Sequence, residues 1–366
     1  MSNLEVNNIS KYNGNNISLN DPLRLKNYTT SEIGDLTGMV AGDIVYDSDI
    51  GSIKVYNGTD WAAMSSNTFQ FTLSWLVIGG GAGGGGQHGG GGGAGGYRIA
   101  YSSDVSGGSG SESTITVTPG TNYSVSIGAG GPALQGSGSS EFASNGNSGS
   151  PTTFGSITSL GGGAGGNWSG HVGLAGGSGG GGASHNAVGG SGDSNQGHDG
   201  GRGSNVSNHF AGGGGGAGAA GADGADNNAG DGGDGRSSTI TGSAVYRAGG
   251  GGGGAYKGSG QTYSSSYAGS GGQGGGGDGA MNAGGQNETS SATAGTVNTG
   301  SGGGGSATYS SSHTSGAGGS GVVILRYPST FTLNFASGGT LQYVNSTVNT
   351  DTITKITQGV GTVYWS

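Results

Sequence analysis

The sequence contains no cysteine, only five prolines and few charges, since Asp, Glu, Lys and Arg make up 8% of its 366 residues. The absence of cysteine excludes a disulfide-stabilised scaffold and leaves the redox compartment open. The low proline content and the lack of glycine at every third position throughout exclude a collagen triple helix. The glycine runs also follow no fixed spacing, so a regular repeat protein is not expected.

Basic residues are scarce as well, because 11 Lys and Arg stand against 20 Asp and Glu, a formal net charge of −9. They are scattered along the chain, so phosphate neutralisation cannot drive binding and nucleic acid is not an expected partner. The longest strongly apolar run, Trp75–Ile78, is far too short to span a bilayer. The first ten residues lack the pattern of a signal peptide. We therefore expect a soluble, non-secretory protein without membrane insertion.

Glycine is what the sequence has in excess: 97 residues, or about 27%, where about 7% is usual. Six glycines precede Gly79 and four follow Gly321, which leaves 87 within residues 79–321. Such a composition is typical of a flexible linker. Its uneven distribution, however, divides the chain into three predicted domains, which are residues 1–66, 67–327 and 328–366.

The N-terminal domain, residues 1–66, is predicted to be a small β module. Short β-branched and aromatic runs at 43–47 and 52–56 are joined by a four-residue loop with turn chemistry. A second turn, 57–60, leads into Trp61. A domain with so few apolar residues has a marginal core, which favours association with copies of itself or with a partner.

Two apolar strands bracket the glycine-rich domain, residues 67–327, and are expected to pair antiparallel as a clasp that closes it. The first, 69–78, runs directly into a polyglycine run, and the last such run leads into the second strand, 322–327. Polyglycine can form polyproline-II-type helices with three residues per turn, and without Cβ atoms these helices can bond to each other through their backbones. We therefore predict a mostly β and irregular protein with polyglycine II helices bracketed by β-strands and no substantial α-helix.

The C-terminal domain, residues 328–366, is predicted to contain three or four short strands that end in Tyr364 and Trp365. The segment continues past the second bracketing strand. Two arrangements remain open: these strands fold back as a cap, or they mediate trimerisation.

Two stretches resemble known bacteriophage proteins. Residues 42–61 (GDIVYDSDIGSIKVYNGTDW) are similar to a β module near the N-termini of marine phage tail fibres. The bracket WLVIGGGAGGGG (75–86) with SGVVILRY (320–327) resembles the glycine-rich domain of phage tail fibres and adhesins. The resemblance covers residues 43–327 and implies a bundle of polyglycine II helices whose variable loops contact the host surface.

If each glycine run crosses such a bundle once, alternate loops lie at opposite ends. Counted from strand 71–78, the loops at one end, called distal, are 87–88, 167–175, 193–199, 219–229, 255–268 and 306–315. The loops at the other end, called proximal, are 183–188, 204–211, 236–248 and 280–299.

The distal loops contain the aromatic and histidine residues that we take as candidate receptor-binding residues. Such side chains provide rigid contact area and adaptable hydrogen bonds for saccharide or protein recognition. The alternative is that they pack over the open ends of the bundle. The candidates are Trp168, His171, His198, Tyr256, Tyr263, Tyr267, Tyr309 and His313. The proximal loops contain fewer, chiefly His185, His209, Phe210 and Tyr246.

No recognisable catalytic or cofactor motif is present. Matches to G-x-G-x-x-G carry no information in such a glycine-rich sequence, and neither a phosphate-binding P-loop nor a zinc-binding H-E-x-x-H occurs. The five glutamates form no pair of the kind that glycosidases use. Four aspartates, at 223, 226, 231 and 234, faintly resemble calcium-binding repeats but lack the full pattern, which favours a solvated turn. We expect no enzyme activity, no cofactor and no metal.

These observations favour a structural virion protein, a tail fibre or fibre-tip adhesin that binds the host cell-surface receptor during phage adsorption. The expected partners are a host surface glycan or outer-membrane protein and, through the N-terminal module, other phage tail or baseplate proteins. Related fibres imply a homotrimer located in the phage tail. An ice-binding or cell-wall structural protein is the alternative, although irregular runs and long loops argue against a flat ice-binding face. A disordered linker is the third possibility.

Overall fold

The computed structural model describes residues 25–64, 70–108, 110–134, 145–168, 171–204, 208–258, 267–282, 288–308 and 314–366. The chain divides into two compact units, Met1–Phe69 and Gln70–Ser366, which are taken separately below. Within these described ranges, helical residues make up 2% and no helix reaches seven residues. The predicted fold class, mostly β and irregular without substantial α-helix, is therefore confirmed.

The described part of the first unit, residues 25–64, forms a four-stranded sheet with one short helix. Its strands lie in the order β1-β2-β3-β4. Thr29 caps the helix, and the Glu32 side chain bonds back to the backbone N–H of Thr29. The elements are β1 (Asn27–Tyr28), α1 (Thr30–Gly34), β2 (Ile44–Asp47), β3 (Ser52–Tyr56) and β4 (Trp61–Ala63).

A buried carboxylate, Asp47, holds this small unit together. Nζ of Lys54 lies 2.8 Å from its Oδ2, and the Thr30 hydroxyl donates to the same oxygen at 2.8 Å. The backbone N–H of Asp49 donates to Oδ1 at 3.1 Å. Burial by itself would raise the pKa of Asp47, but these bonds outweigh it and the pKa is lowered. Asp47 thus fixes the β2–β3 turn to the neighbouring helix.

The second unit contains two large sheets. The clasp sheet has the order β19-β20-β17-β5-β6, with β7 also paired to β5, and the covering sheet has the order β10-β9-β8-β21-β18. Shorter strands form two small sheets, β11-β14-β15-β16 and β12-β13. The strands are β5 (Phe71–Ile78), β6 (Tyr97–Ala100), β7 (Ile115–Val117), β8 (Tyr123–Ser126), β9 (Thr152–Phe154), β10 (Ile157–Ser159), β11 (His209–Phe210), β12 (Arg236–Ser238), β13 (Val245–Arg247), β14 (Ala255–Tyr256), β15 (Met281–Asn282), β16 (Glu288–Ser290), β17 (Val322–Pro328), β18 (Leu333–Phe335), β19 (Gln342–Val348), β20 (Asp351–Gln358) and β21 (Val360–Trp365).

The clasp sheet is buried on both faces because its central strands are apolar on both. In β5, Phe71 and Trp75 point into a core shared with the covering sheet, whereas Leu76 and Ile78 point into a second core with Tyr97. Strand β17 pairs antiparallel with β5. The two bracketing strands thus close the unit at the middle of this sheet, as the sequence predicted.

Residues 328–366 fold back onto both sheets. Strand β20 pairs with β17, and β21 pairs with β8 in the covering sheet. The Trp365 ring, which is fully buried, contacts Phe71 at a centroid distance of 5.7 Å and Tyr327 at 5.6 Å. Folding back, one of the two arrangements left open by the sequence, is observed, and this segment belongs to the compact unit that begins at Gln70.

The glycine-rich region forms a bundle of extended segments, here called rods, whose hydrogen bonds repeat every three residues. In rod 79–86, Gly79, Ala82 and Gly85 donate to one neighbour, rod 89–96. Gly80 and Gly83 donate to a second neighbour, and Gly81 and Gly84 donate to a third. The direction in which the backbone N–H groups point therefore repeats every three residues, as in the three-residue turn of polyglycine II.

A rod at the centre of the bundle is surrounded by other rods. Rod 89–96 exchanges backbone hydrogen bonds with six neighbours, at 79–85, 160–166, 178–181, 212–215, 251–254 and 300–306. This arrangement leaves no space for side chains: a Cβ on Gly92 would overlap the carbonyl oxygen of Ala82. The rods are 79–86, 89–96, 128–134, 145–150, 161–166, 171–176, 176–182, 189–192, 200–204, 211–217, 221–225, 229–235, 248–254, 269–273, 276–280, 292–296, 300–306 and 315–321.

The bundle has a sheet end, where rods meet the clasp sheet at Ile78 and Tyr97, and a far end, where rods turn at Gln87-His88. The order of crossings corrects the sequence-based count, because segments 171–176 and 221–225 are themselves rods. Between these two omitted crossings the predicted ends are inverted. Beyond them, 255–258 and 306–308 lie at the far end as predicted. Residues 281–282 and 288–290 also lie there instead of at the proximal end, because 269–273 and 276–280 are two separate rods and 292–296 is a third.

The omitted rods contain few glycines because they lie on the outside of the bundle. In rod 171–176, Val172 and Leu174 are exposed while Gly173 is buried. Glycine is therefore needed only on the inward side, once every three residues. The same three-residue spacing occurs in rod 221–225, at Gly221 and Gly224.

Candidate functional site

Five ring-bearing side chains from separate turns meet at the far end and form what we call the ring cluster: His88, Trp168, His185, His209 and Tyr256. The rings of His88 and His209 stack at a centroid distance of 4.5 Å and an angle of 14°. Trp168 lies 4.6 Å from His88, and Tyr256 lies 4.8 Å from it. His185 contacts His209 at 4.6 Å and Trp168 at 5.5 Å.

The turns that carry these residues are placed by backbone hydrogen bonds of the rods. The backbone carbonyl of His88 accepts from the backbone N–H of Ser184, and the backbone carbonyl of Gln87 accepts from the backbone N–H of Trp168. His209 pairs with Tyr256 in the short sheet of β11 and β14. His88 and His185 adopt left-handed backbone angles, with φ of 46° and 66°, as the tight reversal between two rods requires. The rings are thus assembled by the core of the bundle.

His88 forms the floor of the ring cluster and the other four rings surround it. His88 is 2% exposed, whereas Trp168, His209 and Tyr256 are half-buried and His185 is exposed. Among the described residues, neither ring nitrogen of His88 has a hydrogen-bond partner. The cluster therefore offers solvent a surface of aromatic and imidazole edges over a buried ring.

Burial keeps the buried imidazoles neutral. It lowers the pKa of His88 well below its ordinary value, and the neighbouring His209 and His185 lower it further. Burial and then His185 likewise lower the pKa of His209. At neutral pH both rings are therefore uncharged, which permits the 4.5 Å stack.

A cation lies beside the ring cluster. Nζ of Lys257, a residue only 7% exposed, stands 4.2 Å above the centroid of the Tyr267 ring. The backbone N–H of Gly258 donates to Oδ1 of Asn208 at 3.4 Å, which ties this loop to the one that carries His209. The far end thus combines aromatic area, amides and one buried positive charge.

The structure places the eight candidate residues unevenly. Trp168 and Tyr256 are in the ring cluster, and Tyr267 is beside it. The backbone of His171 lies at the far end, because its carbonyl oxygen accepts from the backbone N–H of Ala183. The prediction that His198 lies with them is wrong: its N–H donates to Gly216 at the sheet end. Tyr263, Tyr309 and His313 lie outside the described residues.

Sequence reasoning missed three members of the ring cluster. His185 and His209 were expected at the opposite end because rod 171–176 was not counted as a crossing, and His88 was placed at the correct end but not proposed as a candidate. The signal that would have found them is the glycine spacing of three in segments such as 173–176, which marks a rod on the outside of the bundle.

Three of the four aspartates considered for calcium accept hydrogen bonds from backbone N–H groups. Asp223 accepts from the Arg202 N–H, Asp231 from Ser270 and Asp234 from Gln273, each at 2.7 Å. Within the described ranges, no group of three or more His, Asp or Glu side chains is arranged to hold a metal ion. Within the same ranges, no helix has the length and apolar character needed to cross a membrane.

Fold and site define a mostly β protein in which a polyglycine bundle presents loops at the end opposite its two large sheets. The model of a family described as a glycine-rich domain matches residues 64–328, and the chain belongs to that family. Comparison with curated proteins gives no match.

Proposed function

We propose that this chain is a non-enzymatic structural protein of a phage particle, a tail fibre or fibre-tip adhesin that binds a receptor on the host cell surface. The observation that carries the proposal is the ring cluster, which brings His88, His209 and Tyr256 together from separate turns. Half-exposed aromatic rings with adjacent amides are suited to recognition of saccharides or proteins.

The rigidity of the support favours a binding role. Each rod is held by backbone bonds to several neighbours, so the turns at the far end start from fixed positions. Ordering these turns in advance reduces the entropy that binding would otherwise cost. The ligand class that fits is a surface glycan or an outer-membrane protein of the host.

The first unit is proposed to attach the chain to the particle, through tail or baseplate proteins. Exposed apolar side chains on and beside its sheet, among them Ile44, Ile50 and Ile53, provide area for such a contact or for copies of the chain in a homotrimer. Mass measured by light scattering on the purified full chain tests the trimer, and antibody labelling of particles tests the location in the virion.

Adsorption competition tests the receptor role. Purified protein should reduce attachment of phage particles that contain it, and Tyr256→Ala should lose most of this inhibition because it removes a half-exposed ring of the cluster. The matched control is Tyr246→Ala, since Tyr246 is 43% exposed but lies at the sheet end. If both variants inhibited attachment equally strongly, the ring cluster would be excluded as the receptor-binding site. If folded wild-type protein did not inhibit attachment, the adhesin role would be rejected.

A further inference from the structure

Two arginines face each other at the sheet end. Strands β12 and β13 form an antiparallel pair in which Arg236 is directly opposite Arg247. Side chains so placed project from the same face with Cβ atoms about 4.5–5.5 Å apart, and like charges in this position repel. The hairpin therefore concentrates positive charge in a protein whose net charge is −9.

No carboxylate neutralises this pair among the described residues. The salt bridges found there are Lys54–Asp47, Arg98–Glu112 and Arg326–Asp351. Arg247 is only 6% exposed, and its Nη1 is buried without a hydrogen-bond partner. Nε of Arg236 is also buried and without a partner. A buried guanidinium left in this state is costly, and native proteins normally pair it.

Further donors without partners lie around the two arginines. The Tyr97 hydroxyl and Nε2 of His198 are buried and make no hydrogen bond of good geometry among the described residues, although the Ser238 hydroxyl, which donates to Asp104, also lies beside Tyr97. Tyr97 interacts electrostatically with both arginines, and His198 interacts with Arg236. A third cation, Lys355, interacts with Arg247.

The acidic groups that face this region are Asp104, next to Tyr97, and Asp199, next to His198. Oδ2 of Asp104 already accepts from the Ser238 hydroxyl at 2.6 Å, and Oδ1 of Asp199 accepts from the Gly192 N–H at 2.8 Å. Burial is the main effect on Tyr97 and raises its pKa, so the phenol remains a neutral donor. Positive charge thus exceeds negative charge around the hairpin.

We propose that Arg236, Arg247, Tyr97 and His198 form an oxyanion site that binds a sulfate or phosphate ion. Such an ion has several acceptor oxygens that can receive the guanidinium N–H groups and the phenol O–H together, and it supplies the negative charge that the arginines lack. Because Arg247 is so deeply buried, the free ion fits better than a sulfated or phosphorylated saccharide. The site is at the opposite end from the ring cluster and does not depend on receptor binding.

Direct binding to the full chain tests this site. In chloride buffer of constant ionic strength, calorimetric titration with sodium sulfate and sodium phosphate should show saturable binding of one ion per chain. Arg247→Gln should weaken that binding about tenfold or more, since it removes a charge-assisted bond. The matched control, Arg202→Gln, removes an exposed arginine at the far end and should leave the affinity unchanged.

A melting experiment provides a second readout that does not depend on one variant. In chloride alone, Arg247→Met should melt at or above the wild-type temperature because it removes a buried unpaired charge. Millimolar sulfate should raise the melting temperature of the wild type but not of this variant. Absence of saturable binding to folded wild type, or equal affinity in Arg247→Gln, overturns the proposal. Binding of a sulfated disaccharide without binding of free sulfate also overturns it, in favour of a saccharide ligand.

Discussion

The imidazole rings of His88 and His209 stack 4.5 Å apart although they come from turns between different rods. Two charged rings would repel each other in this contact, and burial holds both pKa values below the ordinary value of 6.5. The unfolded chain binds protons on these histidines that the folded chain does not, so their contribution to stability is complete above pH 6.5 and is lost as the pH falls below it.

We therefore expect the free energy of unfolding to fall between pH 7.5 and pH 5, by up to about 1.4 kcal/mol per pH unit for each histidine that stays neutral. His88→Phe should flatten this slope, because phenylalanine keeps a ring and cannot titrate. Trp168→Phe changes the same cluster without removing a titratable group and should keep the wild-type slope. Urea unfolding at several pH values measures the slope of the unfolding free energy against pH. An unchanged slope in His88→Phe would contradict the assignment of this pH dependence to His88.

The close packing of rods predicts that a single methyl group at the centre of the bundle is harmful. Gly92→Ala places a Cβ against the carbonyl oxygen of Ala82, which forces two rods apart. We expect a loss of about 1–3 kcal/mol or more in chemical denaturation, as for overpacked cores. Gly258→Ala is the control, because described atoms leave open space there, and a similar loss in that variant would point to a general effect of alanine.

The position of Trp365 predicts that the last strand is part of the core. Trp365→Ala removes a fully buried ring that contacts Phe71 and Tyr327, and should cost about 3–5 kcal/mol of unfolding free energy. The adjacent Tyr364 is half-buried, so Tyr364→Ala should cost clearly less. If the two variants melted alike, β21 would not be anchored by Trp365.

In the first unit, Asp47→Asn should weaken the ion pair with Lys54 and increase hydrogen exchange in β2 and β3 at pH 7. Since the folded pKa of Asp47 is below 3.8, the aspartate stabilises the fold above that pH and loses its effect as the pH falls through the folded value. The difference between variant and wild type should therefore shrink in acid. Asp60→Asn, at an exposed position, is the control, and equal exchange in both variants at pH 7 would argue against the role of Asp47.

The bracketing strands were predictable from sequence because apolar runs of β-branched residues beside polyglycine leave few alternatives. Strand β5 and its partner β17 appear where Phe71–Ile78 and Val322–Tyr327 were expected to pair. The polyglycine geometry also followed from the absence of Cβ atoms. What the glycine count could not provide was the path of rods at the bundle surface, where Val172 and Leu174 replace glycine without steric conflict.

The ring cluster shows the consequence of that gap. Trp168 and Tyr256 were assigned to the same end, but His185 and His209 were assigned to the opposite one, and only the three-dimensional path unites them. The donors of the oxyanion site were likewise not predictable, because nothing in the sequence indicates that the hairpin places Arg236 and Arg247 opposite each other.

Both bracketing strands, β5 and β17, meet the bundle at its sheet end, and for this reason the number of rods between them must be even. A chain that leaves from one end and must return to it crosses an even number of times. Insertions or deletions that preserve the clasp must therefore add or remove rods two at a time, as rod–turn–rod units. Related chains of different length should differ by such pairs, and each added pair brings one new loop to the far end.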